Sequence, residues 1–328
     1  MKKGAFRWLA ALAAAAFAVG ISGASLAQGF PNKPIKMIVP YPPGGPTDVQ
    51  ARVVGQKLGE LLDQPVVIDN RGGAGGMLGS KMVAQSAPDG YTLLMGASGP
   101  QALGPLMAKE PPYDPIKDFT PLSLVSYSPL MLVLNPKVHA KSVTELIELA
   151  KQNPGKLNYG SFGNGTMAHL AGELFKTMAG VNILHVPYKG SAPAVTALLG
   201  GEIDLMFDTV ITALPHVKSG KLIGLAVTKG SRSSAAPNMP TVAEAALPGF
   251  EAVSWIGLMG PAGMPKDVVD RISAEMVKTL ADRAVRERLQ AAGAEPVGSD
   301  AASFAAKMKS ELMRWEPVVK AAGLLRSQ

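Results

Sequence analysis

A short apolar run, a glycine-rich loop and a stretch of helical spacing follow one another in the first hundred residues. Lys36-Met37-Ile38-Val39 leads through Pro42-Pro43-Gly44-Gly45 into a helix reaching about Leu62, with Thr47 and Gln50 spaced as a capping box. Val66-Val67-Ile68 leads through Arg71-Gly72-Gly73-Ala74-Gly75-Gly76 into a helix ending near Val83. After the turn Pro88-Asp89-Gly90, a third apolar run from Tyr91 to Met95 ends in Gly96-Ala97-Ser98-Gly99. Strands alternating with helices in this way form a parallel sheet, because each helix must bury its apolar stripe against a sheet face. Ligands of such sheets bind outside the carboxyl ends of the strands, where these loops lie.

The rhythm resumes after a proline-rich connection over 111–121. Two strands are expected, over 122–126 and 130–134, carrying the chain into a second domain. Ser142 and Glu145 open a helix that stops at Asn153-Pro154-Gly155. Then comes Tyr159-Gly160-Ser161-Phe162-Gly163-Asn164-Gly165-Thr166, a strand end and glycine loop, with Leu170, Leu174 and Phe175 at helical spacing behind it. Asn164 or Gly165 is the expected N-cap. The first turn of such a helix has unpaired N–H groups and the positive end of the dipole, so it binds an anion without a metal. Ser161 and Thr166 add hydroxyls able to donate to a carboxylate. An ordinary strand-to-helix turn has similar glycines; the recurrence of the loop along the chain is what favours a ligand site. Further units run from Ile183 through Tyr188-Lys189-Gly190-Ser191, with Ser191 as cap, and from Ile203 to Asp208-Thr209. A strand over 222–227, a cap pair Thr241 and Glu244, a strand over 252–259 and a helical tail complete the chain.

The first 27 residues stand apart. Lys2, Lys3 and Arg7 precede an apolar run from Trp8 to Val19, and Ser25-Leu26-Ala27 is a small-x-small cleavage pattern. This is an export leader cut near Ala27, with an apolar run too short for a membrane span. Its removal lowers the formal charge from +7 to +4, and no basic cluster with interleaved aromatics calls for nucleic acid. The chain has no cysteine, which excludes disulfides and thiol chemistry.

Catalytic and cofactor signatures are scarce. His139, His169, His185 and His216 lack metal-ligand spacing, and no glycine loop carries a Walker lysine or a G-x-G-x-x-G frame. Ser161 lies in G-S-F-G, not in the G-x-S-x-G elbow of hydrolases. An exported hydrolase using Ser161 with His169 is the alternative to a binding protein, and a receptor for a sensor kinase is another. Asp208 ends a strand at the ligand-binding end, where it meets a ligand ammonium or hydroxyl or else caps the next helix. Lys189 is either a cationic partner for a carboxylate or a solvated loop lysine.

Several motifs together resemble a known family. They are Val39-Pro40-Tyr41-Pro42-Pro43-Gly44-Gly45 with Asp48, Asn70-Arg71 with Gly73-Ala74-Gly75-Gly76, and Pro88-Asp89-Gly90-Tyr91-Thr92-Leu93. Gly163-Asn164-Gly165-Thr166 with His169-Leu170, then His185-Val186-Pro187-Tyr188-Lys189-Gly190, follow in order. Phe207-Asp208, Leu225-Ala226-Val227-Thr228 and Pro240-Thr241-Val242 with Glu244 complete the set. The chain resembles the Bug family of periplasmic solute receptors of tripartite tricarboxylate transporters. The resemblance implies a two-lobed α/β binding protein of the type II, Venus-flytrap kind, with a ligand cleft between lobes. One lobe is then 28–127 with 251–328 and the other 128–250. It implies a monomeric, non-enzymatic receptor in the periplasm that needs no cofactor or metal, captures an organic carboxylate and passes it to a membrane permease. The candidate ligand-binding residues are Tyr41, Gly44, Gly45, Ala97, Ser98, Ser161, Phe162, Gly165, Thr166, His169, Lys189 and Asp208. Phe162 departs from the small polar residue frequent in the family and makes that wall apolar.

Overall fold

The computed structural model describes residues 29–321 and 323–327, so the leader lies outside the described residues. All contacts below fall within the unit that begins at Lys33. Three parallel strands open the fold: β1 (Ile35–Val39), β2 (Val66–Asn70) and β3 (Thr92–Ala97). Helices α1 (Pro46–Leu62), α2 (Met77–Ala84) and the short α3 (Gly104–Met107) follow them in turn. Ile35, Met37, Ile38 and Val39 of β1 are all buried, as in a strand covered on both faces.

The next strand, β4 (Phe119–Leu134), is one uninterrupted run of 16 residues, where two strands were expected. Tyr127-Ser128-Pro129 has turn chemistry, but here the strand changes partner instead. Pro129 is the last residue paired with the later strand β9 (Val253–Pro261), and Leu130 the first paired with β7 (Leu205–Thr209). A proline, which cannot donate to a ladder, is tolerated at such a handover.

Between these come α4 (Val143–Gln152), β5 (Asn158–Ser161), α5 (Met167–Ala179), β6 (Leu184–Pro187) and α6 (Ser191–Gly200). After β7 follow α7 (Val210–Lys218), β8 (Ile223–Val227) and α8 (Val242–Ala245); after β9, α9 (Lys266–Ala281), α10 (Arg283–Ala291), β10 (Glu295–Pro296) and α11 (Ala301–Ala321). The strand order is β2-β1-β3-β9-β4-β7-β5-β6, with β8 and β10 also pairing β4. The result is two α/β lobes that share β4.

Each lobe has its own core. Ile38, Leu94, Trp255, Met259 and Phe304 pack in the first, where Trp255 meets Phe304 edge-on at 5.3 Å. Leu130 to Leu134, Phe175, Phe207 and Phe250 pack in the second. Full burial of each such side chain contributes about 1.5–3 kcal/mol. Helix α11 spans both, giving Phe304 and Met308 to the first core and Trp315 and Val319 to the second.

Several caps differ from expectation. Pro46 takes the first position of α1 and Gly45 its N-cap, so Thr47 and Gln50 form no capping box. Proline suits that position because its missing N–H is one of the helix's unpaired donors. Gln50 is buried and bonds Ser126 and Ser128 of β4 instead. Gly190, not Ser191, caps α6, and Thr166, not Asn164 or Gly165, caps α5. Thr241 and Glu244 do form the reciprocal box.

Candidate ligand cleft

The strand ends converge on a narrow cleft. The first lobe supplies Tyr41 after β1, Gly45 to Thr47 at the start of α1, Ala97 at the end of β3 and Gly99 just beyond it, and Ser254 and Ile256 of β9. Phe162, Thr166 and Met167 come from the β5–α5 turn, Ser191 from the start of α6 and Thr209 from the cap of α7. Ser128 lies on β4 beside the handover. Among the described residues, no lysine, arginine, histidine, aspartate or glutamate lines the cleft. Its polar surface is hydroxyls and backbone at helix N-termini, which carry partial positive charge.

Of the residues expected at the site, Tyr41, Gly45, Ala97, Phe162 and Thr166 line this cleft. The others stand behind it or away from it. Ser98 is buried and bonds Ser254 Oγ at 3.0 Å. Gly44 turns its N–H to Asp48 at 2.9 Å. Lys189 is exposed and outside the lining.

Ser161 is fully buried, and its Oγ lies 2.6 Å from His185 Nε2, not beside His169 as a hydrolase reading expects. Among the described residues no carboxylate bonds His185. His169 is buried with its Nδ1 accepting the Gly165 N–H at 3.3 Å. The two imidazoles stack at 4.0 Å and 10°, and Tyr159 also stacks on His185, at 4.8 Å and 26°. Burial pushes His169 down to about 4 and His185 to about 3, so both rings are neutral near pH 7. Thr166 donates to Gly163 O at 2.7 Å and accepts from His169 N at 3.5 Å. Strand, loop and helix are thus tied together behind the Phe162 wall.

Asp208 is fully buried behind Ser191 and Thr209. Its Oδ1 accepts from Ser191 Oγ at 2.8 Å and its Oδ2 from Thr212 Oγ1. Burial pushes its carboxyl up to about 6, against the Thr212, Ser191 and Thr209 hydrogen bonds. It therefore ties the first turns of α6 and α7 together rather than facing the cleft. Asp48, in the first turn of α1, is its counterpart in the other lobe. Burial opposes its charge, yet Arg52, the Gly44 N–H and Asn70 hold it below the ordinary range.

The loops meet across the cleft backbone to backbone. A Cβ on Gly75 would lie 2.3 Å from Asn164 O, and one on Gly165 would lie 2.6 Å from Gly104 Cα. Only glycine permits that approach.

Sequence reasoning missed Ser128, Ser254 and Ile256. They sit inside strands, where a serine among apolar residues is the one available signal. Ser191 reads from sequence only as a cap. Among the described residues there is no group of three metal-ligating side chains, and no helix long and apolar enough to cross a membrane.

Comparison with known proteins agrees with this geometry. The family model described as the tripartite tricarboxylate transporter family receptor matches residues 50–324. Protein BugT of Bordetella pertussis is 40% identical over 93% of this chain and 94% of its own length. An R. palustris protein solved with adipate superposes with a TM-score of 0.87 at 37% identity, covering 90% of this chain and 98% of that one. The periplasmic binding protein BugD superposes with a TM-score of 0.87 at 36% identity, covering 90% and 99%. The chain belongs to the tripartite tricarboxylate transporter receptor family, and within it to the Bug group of two-lobed periplasmic solute receptors.

Proposed function

We propose that this chain is a non-enzymatic receptor that closes its lobes on an organic carboxylate and delivers it to the membrane permease of a tripartite tricarboxylate-type transporter. The observation that carries the reading is the cleft itself. It sits at the carboxyl ends of the strands, is lined by no charged side chain among the described residues, and is edged by hydroxyls and helix N-termini of both lobes. Such a site neutralises a carboxylate without supplying a nucleophile or an acid–base pair. The buried Ser161 hydroxyl, held by His185, braces the loop. The adipate bound to the R. palustris relative supports the same ligand chemistry.

In this reading the lobes are 28–127 with 251–328 and 128–250, the protein acts as a monomer, and residues up to about Ala27 direct export and are removed. Ligand contacts come from Tyr41, Gly45, Ala97, Phe162 and Thr166, with Thr47, Ser254 and Ile256 added. The test is denaturation of the purified protein with mass spectrometry of any released acid, followed by calorimetry with that acid. Saturable one-to-one binding with the acid recovered unchanged is expected. Conversion of the acid, or no affinity for any carboxylate, would overturn the reading.

A further inference from the structure

Six hydroxyl side chains line the cleft besides the Tyr41 phenol, and each has one proton to give. Where that proton goes decides whether the hydroxyl offers the cavity a donor or only lone pairs. On the second lobe the protons are spent inward. Ser191 gives its proton to Asp208 Oδ1 at 2.8 Å, and Thr212 gives its own to Asp208 Oδ2, because a carboxylate is the strongest acceptor in reach. The 2.9 Å contact between Thr209 and Thr212 then takes the proton of Thr209. Thr166 donates to Gly163 O at 2.7 Å. Ser191, Thr209 and Thr166 therefore turn only lone pairs to the cleft. The Tyr41 phenol, bonded to Gly75 O, does the same from the first lobe.

The sheet presents the opposite polarity. Ser128 of β4 and Ser254 of β9 are direct partners across the ladder, so their side chains stand side by side on one face. They are 1% and 9% exposed. Ser128 accepts the Gln50 Nε2–H at 3.0 Å, while Ser126 gives its proton to Gln50 Oε1 across a shorter contact. That order of lengths is the one expected of N–H···O against O–H···O. Ser98 is fully buried with Ser254 as its hydrogen-bond partner, so the proton between them is that of Ser98. Two neighbouring buried hydroxyls, Ser128 and Ser254, thus keep a proton that no described residue accepts, and both line the cavity. Thr47 has no side-chain partner among the described residues and serves either role.

We propose that the cleft reads its ligand by hydrogen-bond polarity: a carboxylate, which only accepts, takes the Ser128–Ser254 proton pair, and the Ser191–Thr209 pair selects a ligand whose body carries a donor, a hydroxyl or an amine. The assignment deepens the carboxylate-receptor reading above and rests on it. Asp208 is a positioning residue, which sets the polarity of that wall from behind by drawing hydroxyl protons away from the cavity. A keto oxygen placed there would face lone pairs, and a methylene would leave them buried without a donor.

The test is calorimetry with the mature protein, freed of bound ligand by unfolding and refolding, at pH 7.5, above the value of about 6 to which burial raises Asp208. Glutarate, 2-hydroxyglutarate, 2-oxoglutarate and glutamate differ at a single carbon; propanoate, lactate, pyruvate and alanine repeat the comparison with one carboxylate. The hydroxy or the amino acid is expected to bind about ten-fold or more tighter than both its unsubstituted and its keto counterpart, and which of the two leads tells hydroxyl from ammonium. Thr209→Val leaves both bonds of Asp208 in place and is expected to cut that preference to about three-fold. Asp208→Asn must donate on one side, which turns a hydroxyl proton to the cleft, and is expected to bring the keto acid level with the hydroxy acid. A loss of stability alone would not move that ratio. Ser128→Ala is expected to weaken every probe about ten-fold with the ratio unchanged. An unsubstituted or keto acid binding wild type as tightly as its hydroxy and amino counterparts would overturn this proposal and leave the carboxylate receptor standing, as would ratios unaltered in both Thr209→Val and Asp208→Asn. No binding by any of the probes would overturn both.

Discussion

Gly75→Ala isolates the contact between the lobes. Gly75 has φ 64° and ψ 18°, and its added Cβ would sit 2.3 Å from the Asn164 carbonyl oxygen across the cleft. Ordinary van der Waals contact begins at 3.4 Å, so the loops must part by about an ångström. Two costs arise. The left-handed backbone costs an alanine about 1–2 kcal/mol wherever it occurs. The overlap costs a further amount, about 1–3 kcal/mol for a packed site, and only when the loops are together. Gly180→Ala separates the two, because Gly180 has φ 64° and a methyl added there would meet nothing within 4 Å. Both variants should lose similar thermal stability. Only Gly75→Ala should bind ligand more weakly, by about five- to hundred-fold, because apparent affinity falls with the population of the closed form. Calorimetry measures the affinity, and small-angle scattering should show less contraction with ligand in Gly75→Ala than in wild type. An affinity for Gly75→Ala equal to that of Gly180→Ala would refute the reasoning, since it would mean that the loops need not touch in the liganded state.

Thr166→Val removes the α5 cap, the hydrogen bond to Gly163 O and a hydroxyl in the lining. It should cost about 1 kcal/mol of stability by denaturant unfolding, and ligand affinity should fall with it. Acid unfolding should expose two opposed titrations. His169 and His185 have folded values below the unfolded one, so the unfolded state takes up more protons and stability falls as pH drops from about 6.5 towards 4, with a limiting slope of about 1.4 kcal/mol per pH unit per proton. Asp208 has a folded value raised to about 6, so its contribution runs the other way and falls as pH rises from about 4 to 6. Asp208→Asn should therefore make the acid loss steeper between pH 6 and 4, measured by urea midpoints; an unchanged slope would count against the assignment.

The sequence shows the strand–loop–helix frame because that frame is local. An apolar run in β1, a loop rich in Pro and Gly, and a 3.6-residue period in α1 lie within 30 residues of each other. What stayed hidden depends on partners far along the chain. Ser128 and Pro129 read as a turn because the strands that pair with β4 on either side of them, β9 and β7, cannot be known from local pattern. Thr47 and Gln50 match a capping box, yet Pro46 takes the first helical position and Ser126 and Ser128 compete for Gln50. The loop residues Phe162 and Thr166 were legible as cleft candidates, whereas Ser254 and Ile256 reach the cleft only through the pairing of β9 with β3 and β4.

Strand β4 also limits how such receptors can be recombined. It is continuous from Phe119 to Leu134, pairing β9 as far as Pro129 and β7 from Leu130. A chimera that swaps the second lobe for that of a relative must therefore be joined inside a strand, not in a loop. A junction at Pro129–Leu130 leaves each ladder with its native partner. A residue inserted or deleted at the junction would shift the register of β4 against one of its two partners. The return junctions must also treat α11 as a shared part, because Trp315 and Val319 belong to the core of the lobe being exchanged. Ligand preference in this scaffold is thus more readily altered through individual residues of the lining than by exchanging lobes.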